Sequence, residues 1–202
     1  MIKRLTKIVA GVFLLSTFFL LLPCFQADAV IISHSTNVTP VMQQKSKWCW
    51  AACAEMAGKN ANPSSSKNQA DAVVYVYGSE VNQGANISRM ASAAKYVAND
   101  GSGSYQFYGS TVAWTFSQIV DSITNQKAVI LGLAPTVTGT NAHAIVAYLT
   151  TFRDLSSGTE MLLDVVDPAT GNRITDVNFD MLRLGHEPRF NRLKYTNTAY
   201  RA

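Results

Sequence analysis

The segment around Cys49 holds the residues best suited to covalent chemistry. A stretch of helix formers covers residues 48–59 and we expect its helix to begin near Cys49, which places this residue in the first turn. The unpaired N–H groups and the positive dipole end at such a position favour a thiolate over a thiol. Lys45 and Lys47 add positive charge nearby. Most cysteines are simply small buried residues, but this placement predicts a nucleophile.

The residues that lead into Cys49 form a distinctive block. It reads QQKSKWCWAA over residues 43–52. This block resembles the active-site segment of the papain-like cysteine peptidases, which have a glutamine six positions before the nucleophile and a tryptophan directly after it. Gln43 and Trp50 occupy these positions, so Gln43 is preferred over Gln44. The resemblance extends to about Gly171 and is most marked to a compact bacterial branch of secreted effector proteases.

The resemblance implies partners for the cysteine. In this family the glutamine amide and the cysteine N–H bind the oxyanion, and a histidine and an Asp or Asn follow the cysteine in chain order. His143 opens an alternating aliphatic run after a turn at residues 139–141 and fits the role of base. His34 precedes the cysteine, and His186 lies in an arginine-rich tail. We therefore predict that His143 is the base.

Asp167 is the predicted third member of a Cys-His-Asp triad. It ends a strand-like run at Pro168 and resembles the Asp-Pro segment of the same branch and of the related bacteriocin-leader peptidases. Asp164 is the competitor, but an offset of three along a strand turns it to the opposite face. An aspartate before proline is also common in simple turns. Asp167 is chosen to orient His143.

The elements predicted around these residues divide the chain into a helical half and a strand half. Composition and helical spacing predict helices over residues 48–59, 68–77, 87–98 and 115–124. Runs of β-branched and aromatic residues between turns predict strands over residues 128–133, 142–152, 161–167 and 173–179. The pattern indicates an α+β domain. With the resemblance, it implies a papain-like fold, in which an N-terminal helical lobe packs against a mostly antiparallel β-sheet lobe and a cleft lies between them.

The N-terminal residues predict export. Residues 1–7 carry three cations, residues 8–22 are uncharged and apolar, and residues 27–29 read Ala-Asp-Ala. This is typical of a secretory signal peptide over residues 1–29. The apolar run is shorter than the roughly 20 residues that span a bilayer, so we expect no stable membrane anchor. Residues 30–202 should form one peptidase domain that is secreted, extracellular or periplasmic.

Charge does not support a nucleic-acid partner. Residues 30–202 hold 14 Lys and Arg against 12 Asp and Glu, so the sequence pI near 9.0 overstates the basicity of the exported chain. The cations of the last twenty residues predict a solvated terminal segment. The expected partner is a protein or peptide substrate.

The residues, together with the resemblance, imply a secreted cysteine endopeptidase that hydrolyses peptide bonds through an acyl-enzyme and needs no cofactor. A transglutaminase or deamidase uses the same residue order, and a non-catalytic binding or inhibitory module of this fold would lack turnover. A metal site of Cys49, Cys53 and His143 is a weaker alternative because a second cysteine pair is missing. Cys53 is either buried and inert or redox-active, and its spacing from Cys49 disfavours a disulfide.

Overall fold

The computed structural model describes residues 30–101, 103–139 and 141–202, so the predicted signal peptide lies outside the described residues. Within them the chain forms five α-helices and seven β-strands. The helices are α1 (Cys49–Ala61), α2 (Gln69–Tyr77), α3 (Ile87–Ala98), α4 (Phe116–Thr124) and α5 (Phe179–Leu184). The strands are β1 (Val30–Ser35), β2 (Phe107–Ser110), β3 (Val129–Pro135), β4 (His143–Leu155), β5 (Gly158–Asp167), β6 (Asn172–Asn178) and β7 (Leu193–Arg201). None of the helices described is long and apolar enough to cross a bilayer.

All seven strands join one antiparallel sheet. Six of them follow the order β2-β7-β3-β4-β5-β6, and β1 pairs with the distal part of β4. Strand β4 is the longest, at 13 residues, and it pairs with β3 near its start and with β5 along most of its length. The predicted α+β class and the mostly antiparallel sheet are confirmed.

Helices α1, α2 and α3 form the helical lobe on one face of the sheet. Helix α1 is buried along nearly its whole length because its alanines and Gly58 let neighbouring elements approach closely. A Cβ atom added at Gly58 would lie 2.6 Å from the Val97 side chain of α3. Small side chains therefore place α1 at the centre of the lobe, with its first residue at the surface.

Helix α4 lies on the opposite face of the sheet, although its position in the sequence predicts a place in the helical half. Its buried residues Phe116, Ile119 and Ile123 pack in a second core with Leu131 and Ile145 of the sheet. The central strands carry apolar residues on both faces, so each face needs an apolar cover. One amphipathic helix after β2 supplies part of that cover.

The C-terminal residues are not a solvated tail, and that prediction was wrong. Strand β7 lies between β2 and β3 in the sheet. Leu193, Tyr195 and Ala199 are buried, whereas Lys194 is exposed. Of the cations in this segment, Lys194 and Arg201 lie on β7, and the alternation of Lys194 with the apolar Leu193 and Tyr195 was the signal for a strand. Residues 30–35, for which the sequence patterns predicted no strand, likewise form a paired strand, β1.

Candidate active site

A cleft of about 600 Å³ opens between the start of α1 and the ends of strands β4 and β5. Four side chains singled out from the sequence line this cleft together. They are Gln43, Cys49, His143 and Asp167. They come from separate parts of the chain, so the fold brings them to one place.

Cys49 is the first residue of α1 and is partly exposed in the cleft. A turn precedes it, in which the Trp48 N–H donates to the Lys45 carbonyl at 3.0 Å. Among the described residues no side chain caps this helix end, and its first turn holds no acidic residue. The Ala51 N–H donates to the Trp48 carbonyl at 2.9 Å, so the N–H groups of Cys49 and Trp50 are the ones available to an anion or a developing oxyanion in front of the thiol.

The two tryptophans beside Cys49 hold one rim of the cleft. The Trp48 indole N–H donates to the Val81 carbonyl at 2.8 Å, and the Trp50 indole N–H donates to the Gln83 carbonyl at 2.8 Å. Both indoles are buried, and the loop that they hold continues into the cleft-lining Gly84. Sequence reasoning assigned no role to this loop, because no motif marks residues 81–84.

His143 and Asp167 form a close pair at the adjacent ends of two strands. His143 is the first residue of β4, and Asp167 is the last residue of β5. Their side chains meet at 2.7 Å between His143 Nε2 and Asp167 Oδ1. The Ala169 N–H donates to the same carboxylate oxygen at 2.9 Å. The contact occupies Nε2 of the imidazole, so Nδ1 is the ring nitrogen left for other partners.

His143 and Asp167 each stabilise the charged form of the other. Burial lowers the pKa of His143, but the hydrogen bond to Asp167 and the interaction with the Cys49 thiol together raise it to about 9. Burial raises the pKa of Asp167, and the His143 hydrogen bond and the Ala169 N–H outweigh it, so this pKa lies below its usual value. At neutral pH the pair is therefore an imidazolium and a carboxylate.

Gln43 lies beside the turn that leads into Cys49. Its Nε2 donates to the Lys45 carbonyl at 2.9 Å, the same carbonyl that accepts from Trp48. Its backbone N–H donates to the Pro168 carbonyl at 2.8 Å, next to the Asp167 turn. The side-chain amide has a second Nε2 proton that can reach an oxyanion. Gln44, by contrast, is exposed.

The competing residues of the sequence lie elsewhere. His34 is on β1, paired with Thr150 of β4, and His186 is exposed after α5. Asp164 accepts a hydrogen bond from the Asp176 N–H at 3.0 Å. None of the three lines the cleft with Cys49.

Cys53 lies one helical turn after Cys49 and is fully buried in the core. Both cysteines are free thiols. Burial raises the pKa of the Cys53 thiol well above 9.0, with smaller contributions from Cys49 and Asp167. Of the two expectations for Cys53, the geometry favours the buried, inert thiol.

Comparison with known protein families decides the assignment. The model of the Peptidase_C39 like family matches residues 35–195, which is most of the chain. The chain belongs to the Peptidase_C39 like family. This is a family of papain-like cysteine peptidases, and a peptidase family implies protein or peptide substrates. A comparison with curated proteins returned no match.

The match supports the sequence resemblance at the level of the Peptidase_C39 like family. The matched span contains Gln43, Cys49, His143 and Asp167. The closer likeness to secreted effector proteases stays a prediction. The family match also reaches residue 195 and so includes the start of β7.

The C-terminal segment contributes a wall of the cleft in this Peptidase_C39 like protein. Phe190, Asn191 and Leu193 line it, as does Gly84. Arg189 also lines it, but its guanidinium pairs with the buried carboxylate of Glu187 at 2.6 Å. The buried Glu187 carboxylate thus fixes the exposed Arg189 side chain at this wall, and the sequence signal for the wall was the apolar alternation at the start of β7.

An Asp167→Asn variant is expected to lower the pKa of His143 well below about 9. The carboxylate hydrogen bond is the strongest of the interactions that raise this pKa, and burial, which lowers it, remains. The measurement is an NMR titration of the His143 imidazole. Asp164→Asn is the matched control on the same strand and should leave the titration unchanged. An unaltered His143 titration in Asp167→Asn would contradict the electrostatic account.

The same variant has a predictable effect on stability. A histidine whose pKa is raised from 6.5 to about 9 stabilises the fold fully below pH 6.5 and loses that effect as the pH rises through 9. Asp167, whose pKa is lowered in the folded protein, stabilises the fold at pH values above 3.8, the pKa of this group in the unfolded chain. The stability difference between wild type and Asp167→Asn should therefore be largest between these limits, near pH 5 to 6, and should shrink towards pH 9.

Proposed function

We propose that this member of the Peptidase_C39 like family is an exported cysteine endopeptidase that cleaves peptide bonds through a Cys49-His143-Asp167 triad. Gln43 and the Cys49 N–H form the oxyanion hole. Export rests on the signal-peptide pattern of residues 1–29, and the working enzyme is the chain from residue 30. No cofactor takes part in this mechanism.

The observation that carries the proposal is the joint placement of three groups in one cleft. A partly exposed thiol begins a helix, an imidazole lines the same cleft, and a carboxylate at 2.7 Å orients that imidazole. Such an arrangement suits nucleophilic catalysis, because it contains a nucleophile, a group that can carry its proton and an acceptor that orients that group.

Acylation follows from this arrangement. The Cys49 thiolate attacks the scissile carbonyl carbon, and the carbonyl electron pair moves to the oxygen. The Gln43 amide and the Cys49 N–H stabilise that oxyanion. The carbon–nitrogen bond then breaks as the His143 imidazolium gives its proton to the leaving amine. The products of this stage are a free amine and a thioester on Cys49.

Deacylation reverses the roles of the same groups. Neutral His143 takes a proton from water as the water oxygen attacks the thioester carbon. The carbon–sulfur bond breaks, a carboxylic acid leaves, and the thiolate–imidazolium pair is restored. Asp167 holds Nε2 throughout, which keeps Nδ1 as the proton-carrying atom.

The test is incubation of the protein, purified after expression of the full chain, with a proteome-derived peptide library and analysis by mass spectrometry. New peptide termini are the expected result. Glutamine deamidation or cross-linking without cleavage would show the acyl transferase instead, and an unchanged library would favour the non-catalytic module. The intact mass of the purified protein reports whether residues 1–29 have been removed.

A Gln43→Ala variant is expected to lower kcat by about 10²-fold with little change in KM. The amide acts mainly on the charge that develops in the transition state, so its loss affects the chemical step more than binding. The measurement is steady-state cleavage of a peptide identified from the library. Gln44→Ala, the neighbouring exposed glutamine, should retain activity within about twofold. Equal losses in both variants would contradict the assignment of Gln43.

A further inference from the structure

Two buried polar residues lie outside the four-residue site and connect its parts. Gln69 is 1% exposed and Glu55 is 6% exposed. Gln69 is the first residue of α2, where the capping side chain of Asn68 fixes the helix start. The Gln69 backbone N–H donates to Glu55 Oε2 at 2.8 Å. Because Glu55 lies on α1, this contact joins the start of α2 to the helix that carries Cys49.

The Gln69 side chain binds the backbone on both sides of Gln43. Its Nε2 donates to the Met42 carbonyl at 2.9 Å, and its Oε1 accepts from the Gln44 N–H at 2.8 Å. The Gln69 amide thus binds Met42 through its donor and Gln44 through its acceptor, and these two residues flank Gln43. A buried side chain in this arrangement holds the backbone of residues 42–44 in the way that a neighbouring strand would.

Gln43 depends on this support because its own side chain is weakly held. Among the described residues its Nε2 has one acceptor, the Lys45 carbonyl, and its buried Oε1 has no partner. The direction of the Gln43 amide is therefore set largely by the backbone beneath it. That backbone is held from one side by Gln69 and from the other by the Pro168 carbonyl, at 2.8 Å from Gln43 N.

We propose that Gln69 is a positioning residue for the oxyanion donor. It acts through Gln43 and touches no reacting atom. The inference rests on the proposed hydrolase function, since it assigns Gln69 to the oxyanion hole of that reaction. An oxyanion donor must lie within hydrogen-bond distance of the developing charge, and a displacement of about 1 Å can lower a rate by about 10²-fold.

Two reactions of Cys49 separate this role from a general effect on the thiol. In acylation by p-nitrophenyl acetate, the thiolate attacks the ester carbonyl, an oxyanion develops, and p-nitrophenolate leaves. In alkylation by iodoacetamide, the thiolate displaces iodide from carbon and no oxyanion develops. Loss of a positioning residue for the oxyanion hole should slow the first reaction and spare the second.

The experiment compares wild type with Gln69→Met, a substitution of similar volume that removes both side-chain hydrogen bonds. Acylation of Cys49, followed as acetyl adduct by intact mass, should slow by about 10- to 100-fold in Gln69→Met. Alkylation should change by less than about twofold. In a Gln43→Ala background, Gln69→Met should slow acylation by less than about twofold, because the amide that it positions is absent.

Ser65→Ala is the matched control in the same lobe. Ser65 is buried, donates to the Val97 carbonyl at 2.7 Å and accepts from the Lys67 N–H at 3.3 Å, so its loss also removes two hydrogen bonds. None of its hydrogen bonds involves residues 42–44. Thermal unfolding of both variants establishes that they are folded, and Ser65→Ala should acylate at the wild-type rate.

The outcomes distinguish the inference from the function on which it rests. Either of two results would overturn the role of Gln69 alone. In the first, Gln69→Met is acylated at the wild-type rate. In the second, Gln69→Met slows acylation in the Gln43→Ala background by the same factor as in wild type. A wild-type Cys49 that is alkylated but never acylated would overturn the hydrolase and the inference together. If Gln69→Met does not fold, amide hydrogen exchange in wild type decides: protection of the Gln44 N–H supports the contact with Gln69, and free exchange overturns it.

Discussion

A Cys49→Ala variant should lose peptide cleavage by about 10⁴-fold or more while keeping its fold. The proposed reaction passes through a bond to this sulfur, and removal of a nucleophile from a triad eliminates most of the catalysis at once. The substitution removes one sulfur atom from a partly exposed residue that packs against the helical core, and it leaves the fully buried residues of α1 in place. The measurement is the rate of cleavage of a library-derived peptide, beside thermal unfolding of the variant.

Cys53→Ala provides the matched control for this loss. It removes the other thiol of the same helix, one turn away and buried. The variant should keep cleavage within a few-fold of wild type, with a modest loss of stability for the cavity that it leaves. Cleavage that survives in Cys49→Ala, or that disappears in Cys53→Ala, would show that the wrong thiol has been assigned.

The second large effect is expected for His143→Ala, which should lower kcat by about 10³-fold or more. The variant has no group to carry the proton to the leaving amine, and the thiolate loses its imidazolium partner. Iodoacetamide alkylation of Cys49 near pH 7 should therefore slow as well, although no leaving amine is involved. The two rates separate the roles of His143 as proton donor and as counter-ion.

His186→Ala is the control for a histidine outside the cleft. His186 is exposed after α5 and does not line the cleft. Its loss should leave cleavage and alkylation unchanged. A His143→Ala variant that alkylates and cleaves at wild-type rates would remove the histidine from the mechanism and leave Cys49 without a base.

Much of the fold could be predicted because local patterns and tertiary environment agree. The predicted helix over residues 87–98 coincides with α3, since its apolar residues follow a helical spacing and are buried in the helical lobe. The strand runs at residues 142–152 and 161–167 correspond to β4 and β5, whose β-branched residues suit a sheet buried on both faces. The start of the helix predicted over residues 48–59 lies within one residue of the start of α1 at Cys49.

The errors came from segments whose structure depends on distant partners. Four-residue strand β2 has little pattern of its own and exists through its pairing with β7. Strand β7 carries enough charge to resemble a surface segment, and its burial arises from the neighbouring β2 and β3. Helix α4 was correctly located along the chain, but nothing local could say which face of the sheet it covers.

The candidate site shows the same division. Residue types, order and a family resemblance pointed to Gln43, Cys49, His143 and Asp167, and the fold brings all four into one cleft. The supports were not visible in sequence. The indoles of Trp48 and Trp50 and the amide of Gln69 bind backbone groups far away in the chain, and backbone partners leave no mark on residue identity.

The most direct test of the account is the intact mass of the native protein after brief exposure to an epoxysuccinyl inhibitor of papain-like enzymes near neutral pH. Cys49→Ala and His143→Ala are treated in parallel. The account predicts a single adduct on the wild type and none on either variant, because the reaction needs a thiolate activated by the histidine. A folded wild-type protein with a reduced Cys49 thiol and no adduct would contradict it.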